Sequence, residues 1–261
     1  MNIIDIHTHV YPDPIAQKAT DSIKTFYGLG GGGMNGTVAM LKERGSQVGI
    51  GRYVILPVAT RPDRTRHINQ FILDTLPHHP EFIGFGTVHA AMENLTDEVA
   101  FILDSGLRGI KMHPDTQCFA IDDPRLFPMY EAIAGRIPVI LHMGDHRFDY
   151  SQPARLRHVL ELFPRLDAIA AHFGGYGMYE EAYTQLKDKN CIFDISSSMM
   201  FMAPGVAEEY IGRYGAERMA YGTDYPLWDP VHEVEAFFKL KLTDAQFEQI
   251  AHKTAEAFLH L

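Results

Sequence analysis

Residues 138–145 read PVILHMGD. Three aliphatic residues follow the proline, and a histidine and a glycine come after them. The run is too short for a helix and apolar throughout, which is typical of a strand buried on both faces. Seven other short runs share this character. The eight predicted strands are Asn2–His7, Tyr53–Val58, Phe82–Val88, Gly109–His113, Pro138–His142, Ala168–His172, Cys191–Ile195 and Met219–Gly222.

Amphipathic sequence separates these runs. Leu126, Met129, Tyr130 and Ile133, for example, follow the i, i+3, i+4, i+7 spacing of one helix face. Strands that alternate with helices in 261 residues predict an α/β fold, a single (β/α)8 TIM barrel with its site at the C-terminal ends of the strands. A doubly wound open sheet is the alternative. No linker or shift of composition divides the chain, so residues 1–261 are predicted to form one domain.

An insertion over residues 10–50 interrupts the regular alternation after the first strand. It contains a predicted helix, Ile15 to Tyr27, followed by GLGGGGMNG at residues 28–36. Those glycines match G-x-G-x-x-G, but a dinucleotide-binding loop should directly follow a strand and open a helix. Here a helix precedes the glycines. We therefore expect a lid at the barrel mouth rather than a phosphate-binding loop.

Composition and charge narrow the classes of partner. A formal net charge of −10 argues against a nucleic-acid binder, which would carry a basic surface. No apolar run approaches the roughly 18 residues that a membrane helix needs. The sequence shows no signal-peptide pattern, and its two cysteines do not make a disulfide framework. The expected location is the cytoplasm, and the expected ligand is a small molecule.

Chemically active residues occur where the predicted strands end. His7 and His9 share a face of the first strand, because side chains alternate along a strand. Strand ends converge on one face of a barrel, and neutral imidazole nitrogens are common ligands of zinc. A divalent-metal site is therefore predicted there. The residues at strand ends are His7, His9, His89, Lys111, His113, His142, His172 and Asp224.

Five motifs in a fixed order carry a resemblance to a known family. They are DIHTH (5–9), GIKMHP (109–114), LHMGD (141–145), AHFGG (171–175) and YGTDYP (221–226). Together they resemble the amidohydrolase superfamily, and within it the amidohydrolase-related group of metal-dependent TIM-barrel hydrolases. The resemblance covers essentially the whole chain. It implies His7, His9, His142 and Asp224 as metal ligands and His172 as a catalytic or second-metal residue.

Three nitrogens and one carboxylate leave room for a water molecule, as a catalytic zinc requires. In the mechanism that the resemblance implies, Asp224 takes a proton from that water and passes it to the leaving group. His172 hydrogen-bonds the carbonyl or the developing oxyanion. One Zn²⁺ is expected, with Mn²⁺ as the alternative. Asp5 is expected in the barrel core or orienting a ligand.

Six further residues are candidates for contact with substrate or with a second metal. In binuclear members of the superfamily, a lysine on strand four is carboxylated and bridges two metals, and Lys111 is the candidate for that role here. A lysine held in the barrel by a carboxylate is the simpler expectation. Arg61 and Arg147 could help to bind an anionic substrate. Trp228, among other loop aromatics, suggests a partly aromatic or planar substrate. The full set is Lys111, His113, His89, Arg61, Arg147 and Trp228.

The resemblance implies an enzyme and leaves its reaction open. The first prediction is hydrolysis of an amide, ester or lactone at a carbonyl carbon. The alternative is non-oxidative decarboxylation, because the same group includes relatives of aminocarboxymuconate semialdehyde decarboxylase. The chain lacks the long insertions associated with those enzymes, which favours the hydrolase. A barrel that binds metal or ligand without turnover is the third prediction. A homodimer is suggested by the family alone.

Overall fold

A computed structural model describes residues 2–30 and 33–261 of the chain. Within them, nine parallel strands alternate with helices. The strands are β1 (Ile3–Thr8), β2 (Ile50–Ile55), β3 (Phe82–Gly84), β4 (Gly86–Thr87), β5 (Ile110–Met112), β6 (Val139–Leu141), β7 (Ala168–Ala170), β8 (Cys191–Asp194) and β9 (Met219–Ala220).

Most helices lie on the outside of these strands and connect one to the next. They are α1 (Asp13–Phe26), α2 (Val38–Ser46), α3 (Thr65–Thr75), α4 (Leu95–Ser105), α5 (Pro114–Gln117), α6 (Phe127–Ile133), α7 (Pro153–Leu162), α8 (Tyr179–Leu186), α9 (Val206–Tyr214), α10 (Pro230–Phe238), α11 (Asp244–Glu248) and α12 (Thr254–Leu259). A π-helical turn, Gln249–Lys253, joins α11 to α12. None of the helices in the described part of the chain is long and apolar enough to cross a membrane.

The third predicted strand, 82–88, is two strands that meet at Phe85. The ladder β1-β2-β3 ends there, and the ladder β4-β5-β6-β7-β8-β9 begins. The Phe85 N–H still donates to the Ile55 carbonyl at 3.0 Å, and the Gly86 N–H donates to the Gly109 carbonyl at 2.8 Å. The break therefore marks the place where one strand passes its pairing from β2 to β5.

Backbone hydrogen bonds also join the first strand to the last. The Ile6 N–H donates to the Tyr221 carbonyl at 2.9 Å, and the His9 N–H donates to the Tyr225 carbonyl at 2.7 Å. The ring of strands is thereby closed, as in a TIM barrel, and the alternative of an open sheet is wrong. Since the barrel is closed, the carboxyl ends of all the strands lie around one opening.

Apolar residues fill the barrel and the layer between the barrel and its helices. The smaller of two core clusters takes residues from several strands and is covered by Ala255 and Leu259 of α12. Its strand members include Ile4, Val54, Phe85, Ile140, Ile169 and Ile192. Because apolar side chains occupy this part of the barrel, the polar groups of the strands are concentrated at the other end.

The predicted insertion contributes two helices, α1 and α2, between β1 and β2. The helix predicted from Ile15 to Tyr27 is confirmed as α1 and begins two residues earlier, at Asp13. The glycine-rich stretch follows this helix rather than a strand, which agrees with the rejection of a dinucleotide-binding loop. Residues 31 and 32 of that stretch lie outside the described residues.

Candidate active site

The functional side chains reach the barrel opening because their strands end at or just before them. His7 and Lys111 lie within β1 and β5, and Asp194 is the last residue of β8. The others follow their strands by one to four residues, where the backbone leaves the ladder and turns into a loop. Those residues are His9, His113, His142, His172 and Asp224. All of these side chains except His9 are buried.

His7, His9 and Asp224 form the first group of potential metal ligands. Oδ1 of Asp224 lies 3.5 Å from Nε2 of His7 and 3.4 Å from Nε2 of His9. Asp224 has a left-handed backbone (φ 59°), a conformation that aspartate tolerates better than most residues. Its N–H donates to the His7 carbonyl at 2.8 Å. The last strand segment is thus fixed against the first, and the carboxylate is held between the two rings.

Hydrogen bonds at the far side of each ring orient these histidines. Nδ1 of His9 donates to the Leu56 carbonyl at 2.6 Å, so Nε2 carries a lone pair toward Asp224. Nδ1 of His7 lies 2.9 Å from Oδ2 of Asp194, a fully buried carboxylate. Lys111 is also fully buried, and its Nζ lies 3.1 Å from Nε2 of His7. Burial lowers the pKa of Lys111 to about 8.

His113, Asp115 and His142 form a second group. The two imidazole rings are stacked with centroids 3.9 Å apart and an angle of 8° between their planes. The Tyr27 hydroxyl, at the end of α1, lies 2.8 Å from Nε2 of His113 and 3.2 Å from Nε2 of His142. Oδ1 of Asp115 is buried without a hydrogen-bond partner among the described residues. This group therefore joins the lid helix to the barrel.

His172 lies between the two groups. Its Nε2 is 2.9 Å from Nδ1 of His142, and its ring stacks on His7 with centroids 5.1 Å apart. Its Nδ1 lies 3.1 Å from the Ser196 carbonyl, which favours a proton on that nitrogen. His172 is not among the residues that line the cavity described below. His172 thus contacts two potential ligands, His7 and His142, and does so away from the cavity.

The loops after β6 and β7 approach each other closely at Gly144. Its φ is +71°, and a Cβ atom there would lie 2.6 Å from the backbone nitrogen of Tyr176. The Tyr176 N–H in turn donates to the Met143 carbonyl at 2.7 Å. Only glycine fits this position without displacing backbone. The glycine of LHMGD thus allows the loops that follow His142 and His172 to meet.

The two predicted substrate-binding arginines are engaged elsewhere. Arg61 is exposed and forms a bidentate pair with Asp63. Arg147 pairs with Asp145, donates to the Phe26 carbonyl at 2.7 Å and lies over the Phe26 ring. Neither arginine lines the cavity. Arg147 instead holds the C-terminal end of α1 against the barrel.

His89 and Trp228 are likewise absent from the residues that line the cavity. The His89 ring packs edge-on against Phe119, and its Nδ1 accepts from the Ala91 N–H at 3.1 Å. The Trp228 indole N–H donates to Oγ of Ser197 at 2.7 Å, and that hydroxyl donates to Asp224. Trp228 therefore supports the Asp224 carboxylate through Ser197.

Asp5 ties the barrel together rather than orienting a metal ligand. Its carboxylate accepts from the His7 N–H at 3.1 Å and from the Thr223 N–H and hydroxyl at 3.0 and 2.6 Å. Burial raises its pKa to about 7. The residue bridges β1 and the segment after β9, so it belongs to the closure of the ring.

A cavity of about 640 Å³ opens above the strand ends. His7, His9, Asp224 and the second group contribute to its lining. The rest comes mostly from apolar side chains of α1, α3 and the loops, with a few polar residues among them: Ser22, Thr60, His67 and Thr116. Among the described residues, no lysine or arginine contributes to its lining. Cavities of this size hold small organic ligands, for which a few polar groups fix the orientation.

The donor atoms of the first group fit a divalent metal. One atom each from His7, His9 and Asp224 lies within 4.8 Å of the other two. The same holds for His113, Asp115 and His142, and for a third set of His7, His172 and Asp194. Two imidazole nitrogens and one carboxylate oxygen are a typical set for Zn²⁺, and Mn²⁺ also accepts such ligands. The predicted four-residue set draws on both groups, because His142 lies in the second and its other three members in the first. The assignment of His142 to the same metal stays a prediction.

Three residues of the site were not predicted: Asp194, Asp115 and Tyr27. Asp194 closes the apolar run CIFD, and an acidic residue at a buried strand end is a signal of the same kind as the histidines. Asp115 follows His113 by two residues. Tyr27 gives no local signal, because it reaches the site only through the way α1 folds back over the barrel.

Comparison with known proteins agrees with this architecture. The sequence model of a family described as Amidohydrolase matches residues 4–261. No curated protein matches the sequence. A TIM-barrel protein of Bordetella bronchiseptica, Bb4693, titled uncharacterized, is 22% identical with a TM-score of 0.83, and the match covers 100% of this chain and 99% of that one.

Two decarboxylases are also similar in structure. A 5-carboxyvanillate decarboxylase of Sphingomonas paucimobilis is 14% identical with a TM-score of 0.75 (100% and 99% of the two chains). A dihydroxybenzoic acid decarboxylase of a Polaromonas species, solved with bound manganese and the inhibitor 2-nitroresorcinol, is 15% identical with a TM-score of 0.76 (100% and 98%). At these identities the likeness shows the fold.

Proposed function

The chain belongs to the amidohydrolase family, and we propose that it is a metal-dependent enzyme that decarboxylates a small carboxylic acid without oxidation. The observation that carries this proposal is the polarity of the cavity. Potential metal ligands and mostly apolar side chains line it, and no lysine or arginine is among the described residues that do so. A carboxylate that enters would therefore meet no ammonium or guanidinium group in the cavity wall, and positive charge would come from the metal and from Lys111, which is buried beside His7.

An apolar cavity favours the chemistry of decarboxylation. A carboxylate is charged and loses hydration when it enters, whereas CO₂ leaves as a neutral molecule and the negative charge passes to the rest of the substrate until a proton neutralises it. The C–C bond breaks, its electron pair stays on the substrate, and one proton must then reach that carbon. When bound, a divalent metal would supply a Lewis acid that holds the substrate oxygens and offsets their charge. His7, His9 and Asp224 would hold it, with His142 as the predicted fourth ligand.

We assign proton transfer to Asp224. Although burial opposes it, the neighbouring His7 and His9 imidazoles hold the pKa of its carboxyl well below the usual range, so Asp224 would take a proton from solvent before passing it to the substrate carbon. It lines the cavity, lies between His7 and His9, and is fixed by the Ser197 hydroxyl. The structural similarity to decarboxylases of hydroxylated aromatic acids supports a substrate whose ring can accept the electron pair. His172 is buried behind His142, and it would orient the His142 imidazole rather than touch the substrate.

Hydrolysis of an amide, ester or lactone is the second candidate. It is favoured by the position of Asp224, whose carboxylate also lies where a proton could be accepted from water beside the metal ligands. The two reactions share the ligands and the cavity and differ in whether water enters the product.

The test uses protein loaded with Mn²⁺ or with Zn²⁺ and a panel of hydroxybenzoic acids labelled with ¹³C in the carboxyl group, beside esters, lactones and amides. Decarboxylation predicts release of ¹³CO₂ and one deuterium in the product formed in D₂O. Asp224→Asn should reduce the rate by at least about 100-fold. Asp229→Asn, which changes a half-buried pair with Arg44 outside the cavity, is the matched control and should keep the rate.

If ¹⁸O from labelled water enters the products of esters or lactones and no acid releases CO₂, the protein is a hydrolase and the proposed decarboxylation is wrong. If the protein binds metal and turns over neither the acids nor the esters, lactones and amides, the remaining interpretation is a barrel that binds metal or ligand without catalysis. An Asp224→Asn enzyme with full activity would remove that residue from the mechanism.

A further inference from the structure

The lid helix α1 turns an apolar stripe toward the cavity instead of burying it against the barrel. Ile15, Ala19, Ile23 and Phe26 follow one another at helical spacing, and all four line the cavity. The last three are half-buried, while Ile15 is 51% exposed at the N-terminal end of the helix. Ala16 and Thr20, on another face of α1, are buried by protein.

The helix α3 presents a second apolar stripe to the same space. Ile68, Phe71 and Ile72 have the i, i+3, i+4 spacing of one helix face, and all three line the cavity. Ile68 and Phe71 are only half-buried. Val10 and Val58, from the loops after β1 and β2, add further apolar surface, while Ser22 of α1 and His67 of α3 are the polar residues that the two helices contribute. We call the part of the cavity between these two stripes the apolar chamber.

A well-packed protein interior leaves few voids larger than a water molecule. The cavity, at about 640 Å³, corresponds to roughly twenty water molecules at about 30 Å³ each. Water in a chamber with apolar walls makes few hydrogen bonds, so apolar atoms of a ligand displace it favourably. The chamber therefore has the shape and surface of a binding site for an apolar group.

We propose that the apolar chamber between α1 and α3 binds an apolar tail of the substrate, whose carboxylate lies at the His7, His9 and Asp224 end. The substrate class is thus an amphiphilic carboxylic acid, with a reacting head and a hydrocarbon or aryl extension of several carbons. This inference rests on the proposed function for the placement of the head and goes beyond it by specifying the tail. The exposed position of Ile15 places the open end of the chamber near the start of α1.

The test measures binding of n-butanoate, n-hexanoate and n-octanoate to the Zn²⁺-loaded protein by calorimetry. These acids lack a group that could accept the electron pair of decarboxylation, so binding is measured without turnover. Affinity should rise by about fourfold for each methylene that enters the chamber. Removing the metal should weaken binding of all three acids by a similar factor.

Ala19→Phe should occupy part of the chamber and reduce the dependence on chain length, while affinity for butanoate and metal content stay unchanged. Gln17→Phe adds the same ring on the exposed face of α1 and is the matched control. Ile23→Asn is a second variant that leaves the space open and makes its wall polar; it should weaken octanoate binding and spare butanoate.

Equal affinity for the three acids in the unmodified protein would overturn the inference. So would the same chain-length dependence in Ala19→Phe as in Gln17→Phe. The outcome is independent of the proposed function. A clear chain-length dependence without decarboxylation of any acid would remove the proposed reaction alone, whereas decarboxylation with equal affinities would remove the chamber alone.

Discussion

Asp194 shows how a single buried carboxylate organises the site. It accepts from Nδ1 of His7 at 2.9 Å and from the His172 N–H at 3.0 Å, and the Ser196 hydroxyl also donates to it. A carboxylate behind a ligating histidine fixes the ring and increases the basicity of its other nitrogen. Asp194 thus positions His7 without lining the cavity.

Asp194→Asn should therefore weaken metal binding. The amide cannot accept from the His7 imidazole with a full negative charge, so we expect a loss of about 10- to 100-fold in affinity for Zn²⁺. Titration with a fluorescent chelator as competitor measures it. Asp188→Asn, in the exposed turn before β8, is the control and should keep the original affinity. An unchanged affinity in Asp194→Asn would show that His7 does not need this partner.

Glu233, which does not line the cavity, gives a prediction about pH. It is buried on α10, Oε2 has no hydrogen-bond partner among the described residues, and burial raises its pKa to about 8. The folded protein then holds a proton on Glu233 that the unfolded chain releases near its ordinary pKa of 4.5. Stability should consequently fall as the pH rises from about 4.5 to about 8.

Glu233→Gln removes this titration. The unmodified protein should lose stability from pH 5 to pH 9, and the variant should not lose this part. The difference in the free energy of unfolding, variant minus unmodified protein, should therefore rise by on the order of 3 kcal/mol between the two pH values. Urea denaturation of both proteins at the two pH values measures the difference, and other titrating groups cancel in the comparison. A difference that does not change with pH would mean that Glu233 is ionised in the folded protein.

The arginines illustrate what the sequence could predict and what it could not. Arg61 and Arg147 each have an aspartate two residues away, Asp63 and Asp145, and each forms a bidentate pair with it. That spacing was visible in the sequence. The role of Arg147 in holding Phe26 was not, because it depends on where a helix 120 residues earlier in the chain folds back.

At the level of helices and strands, the alternation of apolar runs was sufficient to predict the barrel. The bounds were less accurate where polar residues begin a strand. The second strand starts at Ile50, three residues before the predicted Tyr53. Its first half was missed because Gly51 and Arg52 interrupt the apolar run. The third was predicted whole, since an apolar run does not reveal that Phe85 changes its pairing partner. The order of strand-end residues was predicted, whereas their division into two groups required the three-dimensional arrangement.

The lid helix α1 is attached at its C-terminal end by Arg147 and Tyr27. The guanidinium donates to the Phe26 carbonyl and lies 4.8 Å from the centre of the Phe26 ring. Arg147→Met should keep a long apolar side chain but lose the hydrogen bond and the charge. Amide hydrogen exchange over residues 13–27 should become roughly tenfold faster, with the strands unchanged.

Arg61→Met is the matched control. Like Arg147, Arg61 forms a bidentate pair with an aspartate two residues away, but its hydrogen bonds among the described residues stay within its own loop. It should leave exchange in α1 as it is. Equal protection of residues 13–27 in all three proteins would show that Arg147 does not hold the helix.

For the molecule as a whole, closure of the barrel depends on contacts between residues more than 200 positions apart. Asp5 accepts two hydrogen bonds from Thr223, next to the backbone bond from Ile6 to Tyr221. Thr223→Val preserves the shape of the side chain and removes the hydroxyl donor. A buried carboxyl oxygen then lacks a partner, which should cost about 1–3 kcal/mol in the free energy of unfolding.

Urea denaturation measures this loss, and Thr25→Val, which removes an exposed hydroxyl bond within α1, should change stability much less. If Thr223→Val is as stable as Thr25→Val, the Asp5 bridge does not contribute to closure.

The position of the insertion has a consequence for how such proteins diversify. The chain carries His7 and His9 on β1, forms α1 and α2 immediately afterwards, and returns to the barrel at β2. Much of the apolar chamber wall thus comes from one continuous cassette of about forty residues whose two ends are anchored in neighbouring strands. On the proposed function, exchange of this segment would change the α1 wall of the chamber and leave the proposed metal ligands in place, so a new substrate preference would need a single recombination step.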